Sequence, residues 1–173
     1  MKTKLFVLAA AFATAASLFA AAPDSSNRHV EVTFDHPEKF RDVKDSYMDT
    51  ERGRDANLQL FKDYLQERAP RFLADGQTLA ITFTDIDLAG DFEPERGPNF
   101  NRVRIIKDIY PPRLSFTYKL TDASGAVLKE GQEKLVDLSF QMTASVIDNG
   151  DPIRYEKSML SDWLNKQFKY PKK

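Results

Sequence analysis

Between Leu79 and Leu88 the apolar residues of this chain change sides. Leu79, Ile81 and Phe83 alternate with Ala80, Thr82 and Thr84, the pattern of a half-buried strand. The next apolar residues, Ile86 and Leu88, belong to the opposite face. A regular strand cannot absorb that change of parity, because successive side chains point to opposite sides of a sheet. The strand must bulge or end near Thr84. Continuing the first register would aim Asp85 at the core, where a lone carboxylate is not tolerated. Asp85 is therefore expected to be lifted out or to meet a cation. Arg113 is the partner expected, because its guanidinium offers two parallel donors and stays charged when partly buried.

The other elements read more simply. Val30, Val32 and Phe34 alternate with charged and polar residues and predict a first strand, ended by His36-Pro37. After a charged loop to about Asp49, Leu58, Phe61, Leu65 and Ala69 fall on one helical face, and Pro70 stops or kinks that helix. Residues 89–101 carry glycines, prolines and alternating charges and read as a long surface loop. Val103 to Tyr110 is strand-like until Pro111-Pro112 breaks any ladder. Leu114, Phe116, Tyr118 and Leu120 then alternate cleanly. A hairpin loop at Asp122–Gly125 returns the chain along Ala126 to about Asp137, and a less regular segment runs to Gly150. Asp151-Pro152 is expected to cap and open a last helix, whose stripe is Tyr155, Met159, Leu160, Trp163, Leu164 and Phe168. In that helix Glu156 reads as a residue favoured by the helix dipole.

The order β-α-β-β-β-β-α predicts an α+β fold: a mostly antiparallel five-stranded sheet with two amphipathic helices packed on one face. The first strand, helix and second strand suit a parallel crossover.

The N-terminus has the three parts of a secretory signal: Lys2 and Lys4, an apolar run from Leu5 to Ala16, and a small-residue exit from Ser17 to Ala22. The run is too short for a permanent membrane span. Residues 1–22 are thus expected to be a cleaved signal peptide, 23–28 a disordered leader, and 29–170 a single α+β domain. The chain has no cysteine, hence neither a lipid-attachment site nor a disulfide. That implies an exported, soluble, non-lipidated protein of the periplasm with no transmembrane segment in the mature chain. Without Lys2 and Lys4 the chain carries 23 basic against 26 acidic residues, a net charge of −3. Such a balance argues against nucleic acid as a partner. Lys166, Lys169, Lys172 and Lys173 gather at the C-terminus, either as a helix end with a frayed tail or as a patch that touches anionic lipid or envelope polymer.

Candidate chemistry concentrates in two places. Asp85, Asp87, Asp91 and Glu93 could hold calcium or magnesium, since hard cations take clustered carboxylates, although the EF-hand spacing is absent. Asp85 and Asp87 could also serve as paired carboxylates in a hydrolase. Tyr110-Pro-Pro-Arg113 makes a stiff corner ending in a bidentate donor, suited to a carboxylate or peptide and equally to a salt-bridged turn. Asp85, Asp87, Tyr110 and Arg113 are thus the candidate binding residues. His29 and His36 have no nucleophile or metal partner in sequence, and no glycine-rich phosphate loop exists. No cofactor is expected.

Several segments resemble a known family: Val30-Glu-Val-Thr-Phe34, Pro37-Glu-Lys-Phe40, Thr84-Asp-Ile-Asp-Leu-Ala-Gly90, Lys107-Asp-Ile-Tyr-Pro-Pro-Arg113, Tyr155-Glu-Lys157 and Asp162-Trp-Leu164. In this order they are similar to the exported bacterial family called domain of unknown function 3016. That resemblance implies an exported envelope protein and no activity. More loosely, Asp122-Ala-Ser-Gly-Ala-Val-Leu128 is similar to a hairpin of small periplasmic lipoproteins, from which the missing cysteine departs. The expected function is a non-catalytic periplasmic binding or assembly module whose partner is another envelope protein or polymer. The alternatives are a metal- or carboxylate-dependent hydrolase using Asp85 and Asp87, and a calcium-binding structural protein.

Overall fold

The computed structural model describes residues 29–143 and 150–168. The expected signal peptide, the leader, most of the segment before Gly150 and Lys169, Lys172 and Lys173 lie outside the described residues. In chain order the elements are β1 (His29–Phe34), α1 (Glu51–Arg68), β2 (Thr78–Asp87), β3 (Asp91–Phe92), β4 (Arg104–Ile105), β5 (Arg113–Thr121), β6 (Val127–Val136), α2 (Phe140–Thr143) and α3 (Arg154–Gln167).

The fold is α+β, and its main sheet has four strands in the order β1-β2-β5-β6. β1 and β2 are parallel, as the intervening helix requires, and the other two pairings are antiparallel. The expected five-stranded sheet is corrected in one respect. Of Val103 to Tyr110 only Arg104–Ile105 is strand, and it pairs with Asp91–Phe92 in a separate two-stranded sheet. The Tyr110 N–H bonds back to the Lys107 carbonyl in a turn, and Pro111 and Pro112 have no N–H, so the segment does not run on as a ladder into β5.

The parity change is a bulge. Phe83 pairs with Phe116 and Asp85 with Ser115, so Thr84 is the extra residue. Leu79, Ile81 and Phe83 before it and Ile86 and Leu88 after it are all buried. Phe83 is the hub, with the rings of Phe34, Phe61 and Phe116 between 5.3 and 5.6 Å from its own. α1 covers this face with Leu58, Phe61 and Leu65, and α3 with Met159, Leu160, Trp163 and Leu164. Trp163 is buried as its stripe predicts, with Phe116 at 4.8 Å edge-on.

Caps and turns follow local chemistry. The Thr50 Oγ accepts from the Gly53 N–H at 3.0 Å and caps α1. The α1 helix ends in a short 3-10 turn at Ala69–Phe72, where Pro70 lacks its N–H. In the β5–β6 hairpin the Asp122 carboxylate accepts from the Ser124 and Ala126 N–H groups, and Gly125 takes φ 84°. The last helix starts later than Asp151-Pro152 predicts. Asp151 Oδ1 accepts from the Ile153 N–H at 3.0 Å in a turn that precedes the helix, and regular helix begins at Arg154.

Candidate functional site

The C-terminal end of β2 is where most of the chain's polar chemistry converges. After the bulge, Asp85 and Asp87 share the face opposite buried Ile86. The segment after β1 rejoins the sheet here: the Asp42 N–H donates to the Ile86 carbonyl at 3.0 Å, and the Leu88 N–H to the Asp42 carbonyl at 2.9 Å. This short parallel bridge brings Arg41 beside both carboxylates. The Arg41 N–H donates to Asp85 Oδ1 at 2.9 Å, and its guanidinium lies 3.6 Å from Asp85 and 3.3 Å from Asp87. Arg113, directly across the ladder, donates to Asp87 Oδ2 at 2.9 Å. The expected Asp85–Arg113 pair is therefore exchanged. Across the bulged ladder Arg113 stands opposite Asp87, and Asp85 takes its cation from the segment after β1.

Beneath this surface lies a buried ion pair. Arg104 donates to Asp42 through both terminal nitrogens, at 2.7 and 3.1 Å, and to the carbonyls of Gly90 at 3.0 Å and Lys44 at 2.7 Å. Its guanidinium also stacks 4.6 Å from the Phe92 ring centre. The Asn57 amide, on α1, donates to the Val43 and Lys44 carbonyls. Gly90 has φ 81°, and a Cβ there would sit 2.7 Å from the Ile105 carbonyl oxygen, so glycine is required where the chain turns into β3. From the other side Glu156 on α3 accepts from the Ala89 N–H at 2.7 Å. Glu156 is completely buried, and its second oxygen has no partner among the described residues. Burial raises its pKa to about 7, against the lowering effect of the Ala89 hydrogen bond.

Glu93 makes a second buried node. Its carboxylate is held by Arg96 and Lys107, and the Tyr110 hydroxyl donates to it at 3.2 Å. The Lys107 hydrogen bond, helped by Arg96, pulls the Glu93 pKa below the ordinary glutamate range. Burial and then the Glu93 carboxylate push the Tyr110 phenol up. At neutral pH one is firmly ionised and the other firmly protonated, so neither is poised to exchange a proton.

Asp87, Asp91, Tyr110 and Arg113 from the sequence-derived candidates line one pocket of about 210 Å³, together with Arg41 and Lys44. Asp85 stands beside it and Glu93 faces its own cations. Among the described residues no group of three or more carboxylates and histidines could hold a metal ion. A larger cleft of about 380 Å³ opens on the far side of Lys44, with Leu88, Phe92, Ile106 and Tyr155 among its apolar lining.

Asp42, Arg104, Arg41 and the burial of Glu156 are not among the expectations from sequence. For Glu156 a signal existed: Leu160 and Trp163 follow at helical spacing, which puts the carboxyl on the buried stripe. For Asp42 and Arg104, in irregular segments 62 residues apart, nothing local marked the pair.

Fold and site together define a small α+β domain built on a bulged central strand, with a charge cluster at that strand's end. The chain belongs to the family described as protein of unknown function (DUF3016), whose model matches residues 28–166. No curated protein and no solved structure matches it. Segments that carry the family resemblance in sequence meet in the cluster: Thr84–Gly90 and Lys107–Arg113 at its centre, and Tyr155–Lys157 through Glu156. Among the described residues no helix is long and apolar enough to cross a membrane.

Proposed function

We propose that this chain is a non-catalytic binding or assembly module of the cell envelope, exported by residues 1–22 and acting in the periplasm on another envelope protein or polymer. One observation carries the reading. Most carboxylates of the cluster are neutralised within the protein: Asp85 and Asp87 by Arg41, Asp87 also by Arg113, Asp42 by Arg104, and Glu93 by Arg96 and Lys107. Such a cluster suits a rigid recognition surface better than a pair of free catalytic carboxylates. The surface it holds is the pocket at Tyr110 and Arg113, beside Ile109, an apolar side chain that is 72% exposed. A stiff proline corner with an aromatic ring and a guanidinium suits an extended polar chain or a carboxylate.

The test is a photo-crosslinking residue placed at Ile109 in living cells, with Gln66 on the exposed face of α1 as control. The expected result is an adduct specific to Ile109 that Arg113→Ala abolishes. Identical adducts from both positions, or none from Ile109, would overturn the reading. The hydrolase and calcium-binding alternatives are tested by thermal melts in EDTA and then in calcium or magnesium. A bound cation raises the melting temperature by mass action, and no shift is expected.

A further inference from the structure

The outer edge of the sheet at β6 is self-complementary, and we infer that two copies of this chain pair there, antiparallel and two-fold symmetric, into a continuous eight-stranded sheet. Val136 stands opposite Arg113, and the Asp137 N–H reaches the Pro112 carbonyl at 3.4 Å. A bond that brackets a pair in this way marks Arg113 and Val136 as a non-hydrogen-bonded pair, and the pattern alternates from there. Glu130, Gln132, Lys134 and Val136 therefore turn their N–H and C=O groups away from β5, toward an edge that no strand among the described residues covers. The same residues place their side chains on the exposed face, while Lys129, Gly131, Glu133 and Leu135 face α3 and are part-buried.

An exposed edge of this length is normally an aggregation hazard that charge keeps in check. Here the order of the charges selects one partner. A two-fold axis normal to the sheet through Gln132 sets Glu130 opposite Lys134 of the second copy, and Lys134 opposite its Glu130. Gln132 meets itself, and the regular pairing ends at Glu130, because the ladder shifts by one residue at Leu128. Leu128 and Val136 are about half-exposed in the isolated chain, at 50% and 51%. Each outward position from Glu130 to Lys134 thus meets an opposite charge or its own amide, and these pairs can form about six main-chain hydrogen bonds. Other registers are worse. Sliding one copy by two residues sets Glu130 against Gln132 or against Val136. Sliding by four sets Glu130 against Glu130, or Lys134 against Lys134.

Two neighbours fit the same arrangement. Lys119 on β5 lies 3.9 Å from Glu130, so pairing would complete a row of alternating charge, Lys119–Glu130–Lys134, across the seam. A two-fold axis normal to the sheet also keeps both α3 helices on one side. The groove beside β6, about 400 Å³ and lined by Leu135, Met159 and Trp163 among others, then faces its symmetry mate. This interface is separate from the pocket at the end of β2, so it stands or falls independently of that site.

Sedimentation equilibrium on the purified protein tests the pairing through a charge-swap cycle. The wild-type chain should be a dimer at micromolar concentration. Glu130→Lys and Lys134→Glu should each weaken dimerisation by at least about tenfold, since each turns both symmetry-related attractions into repulsions. Combining the two substitutions in one chain should restore the dimer. Mixing the two single variants in equal amounts should also restore it, as a heterodimer. One chain then carries lysine at both positions and the other glutamate at both, so each pair across the seam joins opposite charges. Both rescues require that the variants fold, so a folding defect cannot imitate them. A monomeric wild type, single reversals that dimerise like wild type, or failure of both rescues would overturn the inference.

Discussion

The end of β2 and the edge of β6 are both rich in charge, and they use it in opposite ways. At the end of β2 the charges come from segments far apart in the chain and neutralise one another inside the fold, as Asp42 and Arg104 do across 62 residues. On the outward face of β6 Glu130 and Lys134 stand on one strand and stay at the surface, where Glu130 meets Lys119 of β5 only loosely, at 3.9 Å. A buried pair holds two segments together only if both members are present, since either alone is an uncompensated charge. An exposed charge contributes little to stability and much to the choice of partner. The first region should therefore answer to substitution in stability and the second in association.

The sharpest way to break that contrast is at Asp42. Asp42→Ala strands a part-buried Arg104 and should cost roughly 3–5 kcal/mol in a denaturant titration. Arg104→Ala should cost about as much, and the double variant much less than the sum. If both single variants melt like wild type, the cluster is no more structural than the edge. Trp163→Ala, which empties the aromatic cluster under β5, should cost a similar amount, roughly 3–5 kcal/mol, and serves as a purely apolar reference. The native emission of Trp163 should be blue-shifted and should move red on unfolding.

Glu156 sharpens the comparison through pH. Its folded pKa of about 7 lies above the ordinary value of 4.5, so between these limits the folded state binds the extra proton. Stability from this group is full at pH 4.5 and below and falls as pH rises toward 7. The loss levels off above that folded pKa, at about 3 kcal/mol by linkage. Glu156→Gln keeps an acceptor for the Ala89 N–H and cannot ionise. Its melting temperature should match wild type near pH 4.5 and exceed it at about pH 8. A variant that follows the wild-type pH profile would remove Glu156 as the cause.

Smaller effects are expected toward the surface. Asp87→Ala loses two ion pairs whose arginines are 41% and 57% exposed, and should cost about 1 kcal/mol, less at high salt. At the edge, Glu130→Lys should change the unfolding free energy of the monomer by less than about 0.5 kcal/mol, even though it reverses a charge. A cost at Glu130 as large as that at Asp42 would erase the distinction between the two regions.

Much of the fold was legible because its signals are local. The alternation at Leu79–Phe83 and at Leu114–Leu120, the stripe through Trp163 and the Asp122–Gly125 turn each name an element within a few residues. The bulge at Thr84 could be read because parity is a property of one strand. The candidate pocket was legible only in part. Asp87, Tyr110 and Arg113 do come together, but the pairing of Arg113 with Asp87 depends on a register that two strands set jointly. The strand-like stretch at Val103–Tyr110 misled because an apolar run says that a segment is buried and not which sheet it joins.

The sequence by itself determined where the four strands of the main sheet and the two long helices lie, to within a few residues, which of their faces are apolar, and that β2 must shift by one residue. These follow from steric periodicity and from side chains that bond to their own backbone neighbours. Only the tertiary structure decided which carboxylate meets which guanidinium, that Glu156 is sealed against the Ala89 N–H, and that Arg104–Ile105 pairs with Asp91–Phe92 instead of joining the main sheet. Those outcomes depend on distances between segments that the chain brings together after folding, and an ion pair across 62 residues leaves no trace in the pattern on either side of it.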